Sequence, residues 1–579
     1  MARSDAGRQA DAMTGMALSP EHRAASLRRM ATETFDILVV GGGVTGAGAA
    51  LDAATRGLTV ALIEARDYAA GASSKSSKLI HGGLRYLEML DFGLVREALT
   101  ERGLLLTRLA PHLVKPVPFL WPLTHRVWER PYVGAGLVLY DTMGGRRAVP
   151  RARHLSKTGA LRLAPALRPD ALVGGVQFYD AQEDDARMVA CLARTAAGYG
   201  AVLATGVRMD GTLADSGRVT GVRARDLMAG TDLRISARHV VLATGAWTSA
   251  AAGQDLRVRP SKGVHIVVPR DRIAMDTGLL TRTEKSVLFV IPWGDHWLIG
   301  DTDTEWPYDP AHPAASRADI EYLLAKVNHL LREPLTADDI EGVFAGLRPL
   351  VAAGAGSDTT RLSREHSVDS SVPGLSVIAG GKYTTYRVMA RDLIDTAAAD
   401  LAAVSGVPSV PVPASRTDQV PLSGAEGYHR LWAARQQIAE AAGLAVGQIE
   451  RLLGRYGSDV TDLLELIAAR PDAGEVVPGS GGYLGAEIVY ACTHEGALRL
   501  DDVLSRRTRI TIETRDRGLG AAPHAAVLMA PELGWDEIRT AAEVTRYQEM
   551  IAADLAAEAM PDDRSAYEAS GSGFGPPSC

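Results

Sequence analysis

Apolar residues crowd positions 35–40, give way to three glycines, and resume at helical spacing over 45–56. A second short apolar run follows at 59–63. Runs rich in β-branched residues predict strands buried on both faces. Strand, glycine turn, helix and strand make one βαβ unit. From 155 to 303 the pattern keeps alternating, with a helix over 181–198 and strands around 201–205, 219–225 and 239–243. A helix near 316–331 precedes a loop-rich stretch to 372. A strand at 375–379 and a helix over 383–401 come next. Beyond 420, "YHRLWAARQQIAEAAGL" and "IERLLGRYGSDVTDLLELI" repeat apolar residues at helical spacing. The Pro- and Ser-rich segment before them, 404–424, predicts a linker.

The implied fold class is α/β (α+β). A Rossmann-like domain is interleaved with a mixed-sheet substrate domain, and an all-helical C-terminal domain follows. The expected boundaries are a flexible leader over 1–33, with a short helix around 20–30, and the interleaved domains over 34–405. Substrate segments fall at roughly 111–180 and 260–345. A linker covers 406–420, helices fill 421–560, and a polar tail over 561–579 is expected to be disordered.

Composition narrows the classes. The chain has 579 residues, 46% apolar and 23% charged, with a net charge of −7. Those are soluble-protein values, and a nucleic-acid partner would call for a basic balance. Cys191, Cys492 and Cys579 form no CxxC pair, so reduced thiols and no metal are expected. The twin arginine in "SLRRMATETFDILVV" runs straight into the glycines, which suits a first strand rather than an export signal. The uncharged stretch at 37–51 is too short and too Gly-rich to span a bilayer. Peripheral attachment stays open.

"DILVVGGGVTGAGAALDAATRGLTVALIEA" carries G-x-G-x-x-G at Gly41, Gly43 and Gly46, with Thr45 in the opening turn of the helix. Gly41 permits the tight turn, Gly43 lets backbone approach a pyrophosphate, and Gly46 lets the helix pack on the sheet. The helix N-terminus offers unpaired N–H groups and a positive dipole end. Glu64, closing the second strand, suits a ribose diol and disfavours a 2′-phosphate. Two distant returns favour FAD over NAD. "ARHVVLATGAW" brings Ala243 and Gly245 back to the dinucleotide, and "LSVIAGGKYTTYRVMA" presents Gly381, Lys382 and Thr384 at a second helix start. That dipole would stabilise charge on a reduced flavin.

Joined to "SSKSSKLIHGGLRYLE", "KGVHIVVPRD", "FVIPWGDHWLIGDTDTEW" and "GLRPL", these motifs resemble the FAD-dependent glycerol-3-phosphate dehydrogenases. That family lies within the D-amino-acid-oxidase-like flavoproteins, and "THEGALRLDDVLSRRTRI" resembles its helical cap. The resemblance covers about 34–560. It implies oxidation of sn-glycerol 3-phosphate to dihydroxyacetone phosphate by hydride transfer to FAD, then electron transfer to a membrane quinone. It places Ser73, Ser74, Ser77 and Lys78 as donors to the cofactor, with Leu79 and Met209 beside it, while Lys75 points to water. Gly82 and Gly83 leave room for the ring.

A phosphate dianion calls for cations. Arg85, Arg348 and Lys382 are the candidates, with Tyr86 and Thr384 adding hydroxyls. His81 and His265 are alternative bases for the C2 hydroxyl proton, and Arg348 could share the catalytic role by lowering the alcohol's pKa. Asp301 and Asp303 read as a self-capping turn. The basic run "RRAVPRARHLSK" suits a solvated loop, an anionic lipid surface or a homodimer contact. The expected place is cytoplasmic, peripheral on the inner face of the membrane. Rival readings are an oxidase that uses O₂, an amine or amino-acid oxidase of the same superfamily, and a flavin-binding module without catalysis.

Overall fold

The structure is a computed structural model, and it describes residues 16–83, 91–125, 129–143, 149–252, 258–283, 287–351, 366–403 and 411–571. Among these, two sheets carry the architecture. The first has eight strands built on a parallel centre, in the order Leu375–Gly380, Thr231–Leu242, Thr34–Val40, Val60–Glu64 and Val202–Thr205. Ile37 pairs in register with His239 on one side and Val60 on the other. Helices Val44–Thr55, Asp185–Gly198 and Tyr386–Ala403 cover one face through Ala47, Ala50, Leu192, Ala196, Leu393 and Ile394. The small residues let the helices approach closely, the usual dress of a doubly wound sheet.

The other face holds Phe35, Leu38, Ala61, Ile63 and Val240. The segment 16–33, expected within a flexible leader, closes over it. Helix Pro20–Thr32 is capped by Ser19, buries Met30, and sends Arg23 to Asp226 at 2.7 Å.

The second sheet has ten strands among the described residues, contributed by Leu79–Ile80, Lys115–Ser156, Gly174–Gln182 and Val258–Val351. It is mixed: Lys115–Leu123 runs parallel to Gly278–Arg282 and antiparallel to Gly174–Gln182. Side chains alternate across a sheet. One face therefore turns Phe119, Phe178, Leu280, Phe289, His265 and Arg348 toward the first domain, where all six line a shared cavity.

Helices fill Tyr428–Glu558 around two apolar clusters, one centred on Ile449, Leu452, Leu453 and Leu463, the other on Ile488, Val503, Ala525 and Ile551. The tail expected to be disordered from 561 is helical over Asp563–Ala569, with Asp562 as N-cap and Ala566 fully buried.

Candidate active site

The cavity between the sheets measures about 1500 Å³. Its floor is glycine. Gly41 has φ +113°, and a Cβ there would lie 2.5 Å from the Ala243 carbonyl oxygen. A Cβ on Gly46 would lie 1.9 Å from the Gly41 oxygen, so Gly46 serves packing and does not line the cavity. Gly43 caps helix Val44–Thr55 without a side chain, and that helix has no acid in its first turn. The Ser73 hydroxyl accepts from the Val44 N–H at 3.0 Å. Glu64 accepts from the N–H groups of Gly42 at 2.7 Å and Arg66 at 2.8 Å, while burial pushes its carboxyl upward. Gly245, Gly380 and Gly381, all at positive φ, bring the two distant returns to the same floor. A helix start with no side chain on its N-cap residue, and a glycine cradle that a Cβ would fill, fit a dinucleotide pyrophosphate.

Thr45, Leu79, Met209, Ala243, Lys382 and Thr384 also line the cavity. The segment 73–83 divides differently from the sequence expectation. Lys78 is fully buried at φ +58° and binds Asp185 at 2.8 Å and the Ser74 carbonyl at 2.7 Å. Burial lowers its ammonium to about 8 against the pull of Asp185. Neither Lys78 nor Ser74 lines the cavity. The buried carboxylate of Asp185 holds the lysine away from it. Lys75, expected in water, lines the cavity, and burial lowers its pKa. Ser77 lines it too and bonds His265 Nε2 at 3.0 Å.

His81 lines the cavity and exchanges two backbone contacts with the Thr384 hydroxyl, each 3.2 Å. Gly82 is needed for space: a Cβ would lie 2.4 Å from Leu99 and 2.6 Å from the Tyr140 hydroxyl. Arg85 and Tyr86 lie outside the described residues.

Arg348 spreads its guanidinium over Gly263, whose Cβ would lie 2.4 Å from Nη2. It pairs with Asp301 and donates to the Thr302 carbonyl at 3.2 Å. Asp303 accepts from the Ser261 hydroxyl. The expected self-capping turn is therefore corrected, because these aspartates compensate a cation and a hydroxyl on neighbouring strands. Among the described residues no three His, Cys, Asp or Glu side chains group to hold a metal. His265 stacks flat on Phe344 at 4.8 Å, and its buried Nδ1 has no hydrogen-bond partner. Burial drops its pKa to about 4.

Sequence reasoning missed an aromatic half of the roof: Phe119, Trp121, Phe178 and Phe289 beside Leu280. Their period-two spacing was visible, but which face met the cofactor domain was not. It also missed Arg66, which lines the cavity with its guanidinium over Trp247 at 5.3 Å.

A family described as FAD dependent oxidoreductase matches residues 36–391, and the C-terminal domain of alpha-glycerophosphate oxidase matches 415–540. A glycerol-3-phosphate dehydrogenase of Mycobacterium leprae is 53% identical over 556 residues, covering 95% of this chain and 94% of its own. The mitochondrial glycerol-3-phosphate dehydrogenase of Homo sapiens is 36% identical over 547 residues, with coverage of 90% and 73%. The solved glycerol-3-phosphate dehydrogenase of Bacillus halodurans, complexed with FAD, superposes with a TM-score of 0.75 at 28% identity, covering 94% and 99%. With a glycine floor shaped for a dinucleotide and a roof of Arg348, His265 and aromatic side chains above it, the chain belongs to the FAD-dependent oxidoreductases and, among them, to the glycerol-3-phosphate dehydrogenase family.

Proposed function

We propose that this protein oxidises sn-glycerol 3-phosphate to dihydroxyacetone phosphate and delivers the electrons to a membrane quinone. The observation that carries the reading is Arg348, a guanidinium held over Gly263 by Asp301 and facing a cavity floored by a dinucleotide cradle. FAD bound on that floor supplies the acceptor for the C2 hydride. Gly41, Gly43, Ser73 and Glu64 would hold it.

The chain's own residues do the rest. Arg348 and Lys382 offer charge to a phosphate dianion, and a guanidinium fork matches two phosphate oxygens. Oxidation at C2 also releases the hydroxyl proton to a base. Burial disfavours a charged His265, whose Nε2 is engaged with Ser77. His81 lines the same cavity with its backbone fixed by Thr384, so His81 is the better proton acceptor and His265 the neutral wall beside it.

The quinone rests on the aromatic half of the roof, apolar area that a three-carbon phosphate ester does not use. Helix Glu129–Met143, with Tyr132 51% and Leu139 39% exposed, is followed in the chain by exposed Arg151, Arg153 and Lys157 and would meet the inner face of the cytoplasmic membrane. No helix among the described residues is long and apolar enough to cross a membrane.

Anaerobic mixing tests the reductive half. Glycerol 3-phosphate should bleach the flavin absorption, and glycine or proline should not. Retention of the yellow colour with glycerol 3-phosphate would refute the substrate. Reoxidation by a short-chain quinone outpacing peroxide formation in air supports the acceptor, and the reverse order makes the protein an oxidase.

A further inference from the structure

The floor loop that leads from Glu64 to Lys78 is gripped at its start by the helical domain, and at its end by Asp185 of its own domain, which the helical domain holds in turn. At its start, Asp67 is 1% exposed. Arg507 grips its two carboxylate oxygens at 2.6 and 2.8 Å, and Arg506 adds a third bond at 2.6 Å. Burial alone would raise the Asp67 carboxyl, but Arg507 and Arg506 more than offset it. At the loop's end, Asp185 accepts from the Ser76 N–H at 2.9 Å, the Ser76 hydroxyl at 2.7 Å and Lys78 Nζ at 2.8 Å. Arg509 crosses from the helical domain to Asp184 at 2.5 Å and to Asp185, and reaches the Ser74 carbonyl at 3.4 Å. Arg455, from the same domain, reaches Asp184 at 3.2 Å.

Between these anchors lie Ala70, Gly71, Ala72, Ser73, Lys75 and Ser77, all lining the cavity. Tyr68 and Ala69 pack into the core of the loop's own domain, but these cavity-lining residues beyond them bury little apolar surface. Arg507 and Arg509 are 1% and 2% exposed, so water cannot take their place as partners. A buried carboxylate that loses its cation is strongly destabilised. The loop's geometry is therefore conditional on a segment more than four hundred residues away in sequence.

We infer that Arg506, Arg507 and Arg509 are positioning residues through which docking of the helical domain orders the cofactor loop, so that FAD retention and domain docking reinforce one another. The inference rests on the FAD reading above. Coupling of this kind is reciprocal: what docking does for cofactor affinity, the cofactor does for docking.

The test uses the full-length holoenzyme. Its flavin content is measured first, then FAD is dissociated from wild type, Arg509→Lys, Arg507→Lys and the control Arg470→Ala, whose pair with Glu532 lies within the helical domain. Arg509→Lys and Arg507→Lys should weaken FAD binding at least tenfold. At saturating FAD, the KM for glycerol 3-phosphate should stay within twofold, and Arg470→Ala should match wild type. Unchanged FAD affinity with a lowered melting temperature would make the arginines merely structural and overturn the inference. A second measurement needs no variant: adding FAD to wild-type apoprotein should slow proteolytic cleavage between the two domains. Equal cleavage with and without FAD overturns the inference. If glycerol 3-phosphate fails to bleach the flavin while Arg509→Lys still loses FAD, the substrate reading falls and the coupling stands.

Discussion

The floor and the roof of the cavity recognise ligands by opposite means. Where the floor meets the ligand space it is backbone: Gly41, Gly43, Gly245, Gly380 and Gly381 line it, with no room for a Cβ at Gly41 or Gly381. The roof is side chain: His265, Arg348 and a bank of aromatics. One of its glycines serves those side chains, Gly263 making space for Arg348, while Gly346 lets the floor loop approach at Lys75. A backbone cradle selects by shape and accepts little change. A side-chain roof selects by charge and can be altered piece by piece. Changes to the floor should cost the cofactor, and changes to the roof should cost turnover while sparing it.

The largest effect belongs to the floor. Gly46→Val drives a Cβ to 1.9 Å from the Gly41 oxygen, and no rotamer relieves a backbone clash. The cost exceeds the ~1–3 kcal/mol of ordinary overpacking, and the protein should purify colourless. A stoichiometric flavin spectrum from Gly46→Val would break the contrast. Next comes the roof. Arg348→Ala removes charge-assisted bonds worth about 1.5–3 kcal/mol each, so kcat/KM should fall by roughly two orders of magnitude or more. Flavin content should stay whole, and Arg348→Lys should recover part of the loss. Flavin loss in step with activity would place Arg348 with the floor.

The same contrast explains what the sequence could disclose. The floor was legible because a glycine turn between strand and helix is local: Gly41, Gly43, Gly46 and Glu64 fall within 24 consecutive residues. Lys75 and Lys78 were not legible. They sit in a loop without periodicity, so spacing gave no side-chain direction. What decides their fates is Asp185, 107 residues from Lys78, and the left-handed turn at Lys78. Asp301 and Asp303 were local enough to look like a turn, yet Arg348 and Ser261 claim them across the sheet. The tail looked disordered by composition. Asp563 is tied down by Lys262 at 2.6 Å and Tyr567 stacks on Tyr308 at 4.9 Å, both long-range partners that composition does not encode.

Acid should act on the roof through His265, whose ring burial lowers to about 4 from an ordinary 6.5. The neutral ring is favoured in the folded state, so its contribution is complete above pH 6.5. It is lost as pH falls toward 4, at up to about 1.4 kcal/mol per pH unit for one proton. His112, lowered to about 3, and His494, lowered to about 4, act in the same direction elsewhere in the molecule. Urea midpoints for His265→Gln between pH 7.5 and 4.5 should therefore show a shallower slope than wild type, by up to one proton. An identical slope would mean that His265 is not held neutral.

The smallest effect separates the two halves of the roof itself. Phe289 pairs across strands with Gly300 and meets Phe119 edge-on at 5.9 Å, part-buried on the cavity side. Phe289→Ala removes apolar surface that only a second, less polar ligand would touch. Partial loss of such a contact is worth about 1 kcal/mol, or a few-fold in KM. That change should fall on a short-chain quinone and leave the KM for glycerol 3-phosphate where it was, because the phosphate's partners lie on other strands. If instead both constants rise together, the roof is one site and the aromatic bank only supports Arg348 and His265. If only the quinone constant moves, the cavity holds a polar entrance for electrons and an apolar exit, on one sheet.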